Sequence, residues 1–332
     1  MPRQWSSTAS SEPARPRERL AAPRVCDKLI RLNQPIPAIV SQDAVRRLPR
    51  AILLLFCVAY VVPGFIGRDP WKNADIAAFG HMLELARDGA SWFAPTLAGQ
   101  APEFDALLPY WLGAWAIEFA PAWVAPDFAV RLPFALLLAA SLAATWYAVY
   151  WLARSPRAQP VPFAFGGEAS PPDYARALAD GGLLALIASL GLAQLSHETT
   201  PALAQLAFTA LSFLGMAALP WRPSVAAAGL LLGLPGLALS GAAELAVLFA
   251  AGGLVVVALE RDRDGAVSKM LQVVLLAVAL ALTAALATGL DLWRWRIGAG
   301  RDWQSLARLL VWFTWPAWPL ALWTLWRWRR QL

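Results

Sequence analysis

Eight apolar blocks, separated by short charged turns, constrain this chain more than any other feature. They occupy residues 48–66, 129–153, 181–196, 202–219, 225–240, 242–259, 270–290 and 306–326. A helix rising 1.5 Å per residue needs roughly 20 apolar residues to cross ~30 Å of hydrocarbon. Lipid offers no partner to a backbone N–H or C=O, so runs of this length must satisfy their own groups as helices. Composition agrees: 58% of the 332 residues are hydrophobic and 15% charged, against about a quarter charged in an ordinary soluble domain. The sequence therefore predicts an all-α integral membrane protein with about eight transmembrane helices. In such a chain the net charge of +6 reports sidedness rather than a nucleic-acid partner.

Residues 1–47 read as a tail. The stretch "SSTASSEPARPRER" has no apolar period and the Ser, Pro and Arg content of a disordered segment. No small-residue cleavage site follows the first block, so 48–66 reads as a retained crossing rather than a leader; a start codon assigned too far upstream would also lengthen the tail. Residues 1–50 hold ten Lys/Arg against four acids, which places the N-terminus in the cytoplasm. The 67–128 loop then lies outside, with three basic residues (Arg68, Lys72, Arg87) against eight acids. Arg154, Arg157, Arg176, Arg222, the "ERDRDG" turn and the final "RWRR" fall inside. This register holds only if "YWLGAWAIEFA" (110–120) does not cross. At 11 residues it is too short to span and suits a helix lying along the interface. The chain thus divides into a basic tail, 1–47, and a membrane domain, 48–332, with outer loops at 67–128 and 291–305.

One segment departs from the charge rule. "DLWRWRIGAGRD" (291–302) falls outside yet carries Arg294, Arg296 and Arg301. They read either as side chains snorkelling to the interface or as a clamp for a lipid phosphate, whose oxygens Arg matches bidentately. Half of the 18 tryptophans lie from Trp293 onward, as expected of a segment anchored among headgroups.

The other polar signals gather in the outer loops. "GRDPWKNADIAAFG" (67–80) carries Asp69, Lys72 and Asp75, and His81 follows. Asp69 before Pro70 reads as a helix cap with proline at the first helical position, or as a general base. "SHETTPAL" supplies His197 and Glu198, an ion pair at the membrane edge or an acid/base pair. His81, Glu84 and Asp88, at helical spacing, read as a solvated face, and Glu244 as an acid facing water or a polar cavity. The small residues of "GLLLGLPGLALSGAA" suit close helix packing. Cys26 and Cys57 form no disulfide framework, and two histidines in the whole chain argue against a metal site.

From residue 51 to the C-terminus, the order of these pieces resembles the polyprenyl-phosphate-sugar-dependent glycosyltransferases of the GT-C fold. The match is to the aminoarabinose transferase and protein O-mannosyltransferase branch. It rests on Asp69, Lys72, Asp75-Ile76-Ala77, Pro109-Tyr110-Trp111-Leu112 and Arg131-Leu132-Pro133-Phe134-Ala135, with "WFTWPAWPLALWTLW" resembling the eighth crossing. The chain departs from the family at two places. "EFDALLPYW" has Asp105 near the place of a lysine, and "SHETTPAL" stands where the family carries Arg-x-Asp.

The resemblance implies a GT-C-like bundle with short periplasmic interfacial helices, sited in a bacterial inner membrane. The implied activity is inverting transfer of a sugar from a polyprenyl-phosphate carrier to a lipid, glycan or protein acceptor. The family continues into further crossings and a soluble domain, so the chain reads as truncated. Such chemistry needs a base on the acceptor hydroxyl and cations on the leaving phosphate. Asp69 suits the base, with Asp75, Asp105, His197 and Glu198 as further acid/base or acceptor-site candidates. Lys72, Arg294, Arg296 and Arg301 suit the phosphate. The partners implied are the lipid-linked donor and membrane lipids; the need for a divalent metal stays open. Two other classes also stay open: a catalytically silent scaffold or binding relative, and a transporter, for which inverted repeats or paired broken helices would speak.

Overall fold

A computed structural model describes residues 40–87, 90–160, 162–260, 265–294 and 302–329. Among them the regular elements are helices: α1 (Arg50–Phe65), α2 (Asn73–Arg87), α3 (Leu108–Phe119), α4 (Pro126–Ala153), α5 (Pro171–Ile187), the single turn α6 (Leu192–Leu195), α7 (Pro201–Ala218), α8 (Pro223–Leu239), α9 (Ala243–Leu259), α10 (Lys269–Gly289), α11 (Trp303–Phe313) and α12 (Ala317–Trp328). Five of them, α3, α4, α5, α7 and α8, carry proline at the first or second helical position, where its missing N–H costs nothing.

This is a helical membrane protein. Helices α4, α7 and α10 are long and apolar enough to cross a bilayer, and α1, α8 and α9 are shorter apolar helices. The burial pattern is inverted relative to a water-soluble bundle. Ala226, Ala243, Ala246 and Ala250 are fully buried, whereas Leu136, Val256 and Met270 are about 70% exposed. Lipid is as apolar as leucine, so large side chains gain little by turning inward, and small ones let helix backbones approach. The closest approach is between α7 and α8. A Cβ on Gly215 would lie 2.7 Å from the Leu230 nitrogen, and one on Gly233 would lie 2.5 Å from Ser212 Oγ. The small-residue reading of this segment is thereby upheld. Hydroxyls inside the bundle donate to their own helix, as Ser141 does to Leu137, Ser212 to Phe208 and Thr283 to Ala279, all at i−4.

Helix α4 packs on α1, α5 and α7, and α8 packs on α7, α9 and α10. The bundle has two ends. The upper end joins Leu107 N–H to the Leu239 carbonyl (2.8 Å) and Gln205 Nε2 to the Ser240 carbonyl (2.8 Å). The lower end joins Leu48 N–H to Asp180 Oδ2 (3.1 Å) and Val267 N–H to the Pro220 carbonyl (3.1 Å). Helices α2 and α3 lie together at the upper end against α4. The short helix expected at 110–120 is α3, with 12 residues.

Two blocks are organised differently from the expectation. The 306–326 block is not one helix but α11 and α12, of 11 and 12 residues, each too short to span alone. Pro316 lacks the N–H that a continuing helix needs, and its ring disfavours helical geometry at Trp315. The break docks on the turn after α5, where Leu190 N–H donates to the Trp315 carbonyl and Gly191 N–H to that of Phe313, both 3.0 Å. The 181–196 block starts earlier, at Pro171, and its helix ends at Ile187, before Gly191.

Candidate functional site

The polar residues that follow α1 are gathered into a cleft at the upper end. It is lined by Arg68, Asp69, Asp75, Asp127, Arg131, His197 and Thr199, with Gly64, Pro70 and Phe79 completing the wall. Four separate pieces of chain supply these residues: the end of α1 and its loop, α2, the first turns of α4, and the α6–α7 connection.

Arg131 anchors the cleft. It lies one turn after Asp127 on α4, and its Nη2 donates to Asp127 Oδ2 at 2.9 Å, the i,i+4 pairing that helices favour. The Arg131 side chain is 9% exposed, and the same nitrogen lies 3.9 Å from Asp69 Oδ1. Asp69 itself is 97% exposed. Its carboxylate thus lies near a buried cation, beyond hydrogen-bonding distance, and open to solvent. Helix α2 starts at Asn73, four residues further on, so Asp69 caps no helix and the capping reading fails. Arg68, next in the chain, stacks its guanidinium 4.9 Å over Trp71, yet its Nη2 is buried without an acceptor. Lys72 lies 5.0 Å over the same ring and is exposed.

The other candidates hold the walls together. Asp75 is buried, and its Oδ1 accepts from both the Thr199 N–H (2.8 Å) and the Thr199 hydroxyl (2.7 Å). That bond ties α2 to the chain 124 residues later. His197 packs edge-on against Tyr60 at 4.9 Å, and its Nε2–H donates to the Tyr60 carbonyl at 2.7 Å. The ring fits only because residue 64 is glycine: a Cβ there would fall 1.9 Å from His197 Cδ2. Glu198 is buried and accepts from Gln194 Nε2 at 2.8 Å. His197 and Glu198 therefore each bond elsewhere; the structure records no ion pair between them.

The basic outer segment forms a different network. Arg294 Nε lies 3.6 Å from Asp105, Nη2 lies 3.2 Å from Asp291, and the Arg294 N–H donates to Glu244 Oε1. Neither Arg294 nor Asp105 lines the cleft around Asp69. Arg296 and Arg301 lie outside the described residues. Among the described residues no group of His, Cys, Asp and Glu could hold a metal ion.

His81 is buried, not solvated. Its ring meets Tyr110 at 5.4 Å, and its Nδ1 has no partner. Burial pushes its pKa below the ordinary value, opposed by the Thr96 backbone and the Glu84 charge. Glu84 is engaged as well, accepting from Ala98 N–H (2.8 Å) and Thr96 Oγ1 (3.3 Å). Asp88 lies outside the described residues.

Residue patterns alone passed over Arg68, Asp127 and Thr199, and took Arg131 only as part of a motif. The i,i+4 spacing of Asp127 and Arg131 was a visible signal; Thr199 as partner to Asp75 had none. No protein family matches the chain, and neither does any curated protein or solved structure.

Proposed function

We propose that the chain transfers a sugar from a polyprenyl-phosphate carrier to a lipid, glycan or protein acceptor, as a GT-C-like enzyme of a bacterial inner membrane. The upper end faces the periplasm and the N-terminus the cytoplasm, following the charge register. The bundle has eight crossings, the eighth broken at 314–316.

The observation that carries this reading is the composition of one cleft. It holds a solvent-open carboxylate, Asp69, beside a buried cation, Arg131, and a second guanidinium, Arg68, with an unpaired buried nitrogen. A donor without an acceptor in a buried place costs free energy until an acceptor arrives, and a phosphate oxygen supplies one. Asp69 takes the proton of the acceptor hydroxyl as its oxygen bonds to the anomeric carbon. The bond from that carbon to the carrier phosphate breaks, and its electron pair leaves on the phosphate oxygen. A single displacement of this kind inverts the anomeric centre. Arg68 and Lys72 offset the charge that builds on the phosphate. Arg131 is a positioning residue, holding Asp69 at the cleft mouth, while Asp75 and Thr199 keep the walls in register. Arg294, engaged by acids, serves as an anchor for the outer segment.

The test is a transfer assay on membranes containing the full open reading frame, with radiolabelled polyprenyl-phosphate sugars. Label should move to an acceptor fraction with at least one donor. A folded protein that moves none, across the common donor sugars, would contradict the reading.

A further inference from the structure

The lower end of the bundle carries a second polar cleft, which the transfer reading leaves unused. It has a volume of about 710 Å³ and its lining includes Arg47, Arg50, Arg176, Asp180, Trp146 and Tyr147. Three guanidinium groups thus face one carboxylate.

Both oxygens of that carboxylate are already engaged. Asp180 is buried; its Oδ1 accepts from Trp146 Nε1 (2.9 Å) and its Oδ2 from Leu48 N–H (3.1 Å). It fixes the Trp146 ring, which stacks nearly parallel on Tyr150 at 5.5 Å. Nor are the arginines all spent on acids. Arg47 pairs with Asp173 at 2.9 Å, and Arg176 feels the same carboxylate only at longer range. Arg50 has no ion-pair partner among the described residues. The segment that carries Arg47 and Arg50 is itself held in place: Gln42 donates to Asp173 and accepts from Ser170 N–H. The cleft is therefore a built feature with surplus positive charge.

Its shape selects a lipid. Arg47 and Arg50 lie just before and at the start of α1 and Arg176 in the second turn of α5, with Trp146, Tyr147 and Tyr150 of α4 and Leu53 of α1 beside them. Helix α1 continues there with Leu54 and Leu55, both about two-thirds exposed. A guanidinium rim above an aromatic and aliphatic wall matches a headgroup phosphate above an acyl chain.

We propose that this cleft binds one anionic glycerophospholipid, with Arg50 and Arg176 on its phosphate and Trp146 and Tyr147 along its upper chain. The proposal does not depend on the transfer reading, because binding can be measured in the absence of any donor.

The test is native mass spectrometry of the full chain in detergent with equimolar phosphatidylglycerol and phosphatidylcholine. The wild type should retain phosphatidylglycerol in preference. Arg50→Gln with Arg176→Gln should reduce that preference roughly 10-fold or more, as two interfacial arginines warrant. Arg50→Gln alone, at an exposed residue, should reduce it by about 5-fold, so the proposal stays testable should the double variant misfold. Arg87→Gln, at the opposite end, should leave it unchanged. Equal retention of the two lipids by the wild type, unchanged preference in either Arg50 variant, or an equal loss in Arg87→Gln would overturn the proposal. Displacement of the lipid by excess inorganic phosphate would reassign the cleft to free anions and overturn it equally.

Discussion

The upper end of the bundle carries charge in two places, and they are wired differently. Around Arg294 every described charge is answered locally: one guanidinium meets Asp105 and Asp291, and its own backbone meets Glu244. Around Arg131 the pairing is incomplete. Asp127 is answered, but Asp69 stays open to solvent, and Arg68 keeps a buried nitrogen without an acceptor. By charge count alone the Arg294 segment is the more conspicuous, because it breaks the sidedness rule. By unpaired groups the Arg131 cleft is the one with room for a partner. Groups that are paired hold structure together, and groups left unpaired at some cost are those a ligand can complete.

The comparison can be broken by substitution. Among the residues around Asp69 the largest effect is expected at Arg131→Met, which should lower transfer ~10²-fold, as misplacing the catalytic carboxylate does. It should also lower stability by about 2 kcal/mol, the scale of a hydrogen bond to a charged group. A transfer assay and a thermal melt on the same preparation check both. Arg68→Gln is expected to raise the KM for the lipid-linked donor roughly 10-fold with little change in kcat, as the loss of a charge-assisted contact to a phosphate would. A fall in kcat alone would place Arg68 elsewhere in the cycle.

Arg294→Gln is the converse experiment. Arg294 and its acid partners are about half exposed or more, so stability should fall by no more than about 1 kcal/mol and transfer should stay within about twofold, the scale of so weak a pair. A large loss of donor binding would erase the distinction between the two regions. The smallest effect concerns His81, which lies outside both. Its folded pKa is depressed below 6.5 by burial, so below that pH the unfolded chain takes up the proton first. Stability is therefore full above pH 6.5 and declines as pH falls toward the folded pKa. Thermal melts between pH 8 and 5 should show this slope, and His81→Gln should flatten it.

Much of the fold was legible because lipid leaves a chain few choices. Block length and composition gave the helices α4, α7 and α10, and the short α3 was expected from the 11 residues of 110–120, which fold as a helix of 12. The 306–326 block misled because averaged hydropathy is blind to where a helix breaks: the run is apolar apart from Arg308 and two threonines, yet it is split at Pro316. Asp69, Asp75 and His197 were legible as candidates from their setting in polar outer loops, and all three line one cleft. Their roles were not. Asp75 is tied to Thr199, a residue with nothing in its neighbourhood to announce a partner 124 positions away. The setting of Arg294 likewise depends on where Asp105 folds to, which no local spacing encodes.

The central claim is that the open carboxylate of this cleft takes a proton, and Asp69→Asn tests it most directly. The side chain is 97% exposed and precedes α2 by four residues, so the fold makes little use of it. Asparagine keeps its size and cannot accept the acceptor hydroxyl's proton. The account predicts an unchanged melting temperature with transfer from polyprenyl-phosphate sugar reduced ~10²-fold or more, the range for losing a general base. A folded Asp69→Asn protein that retains most of its transfer activity would contradict it.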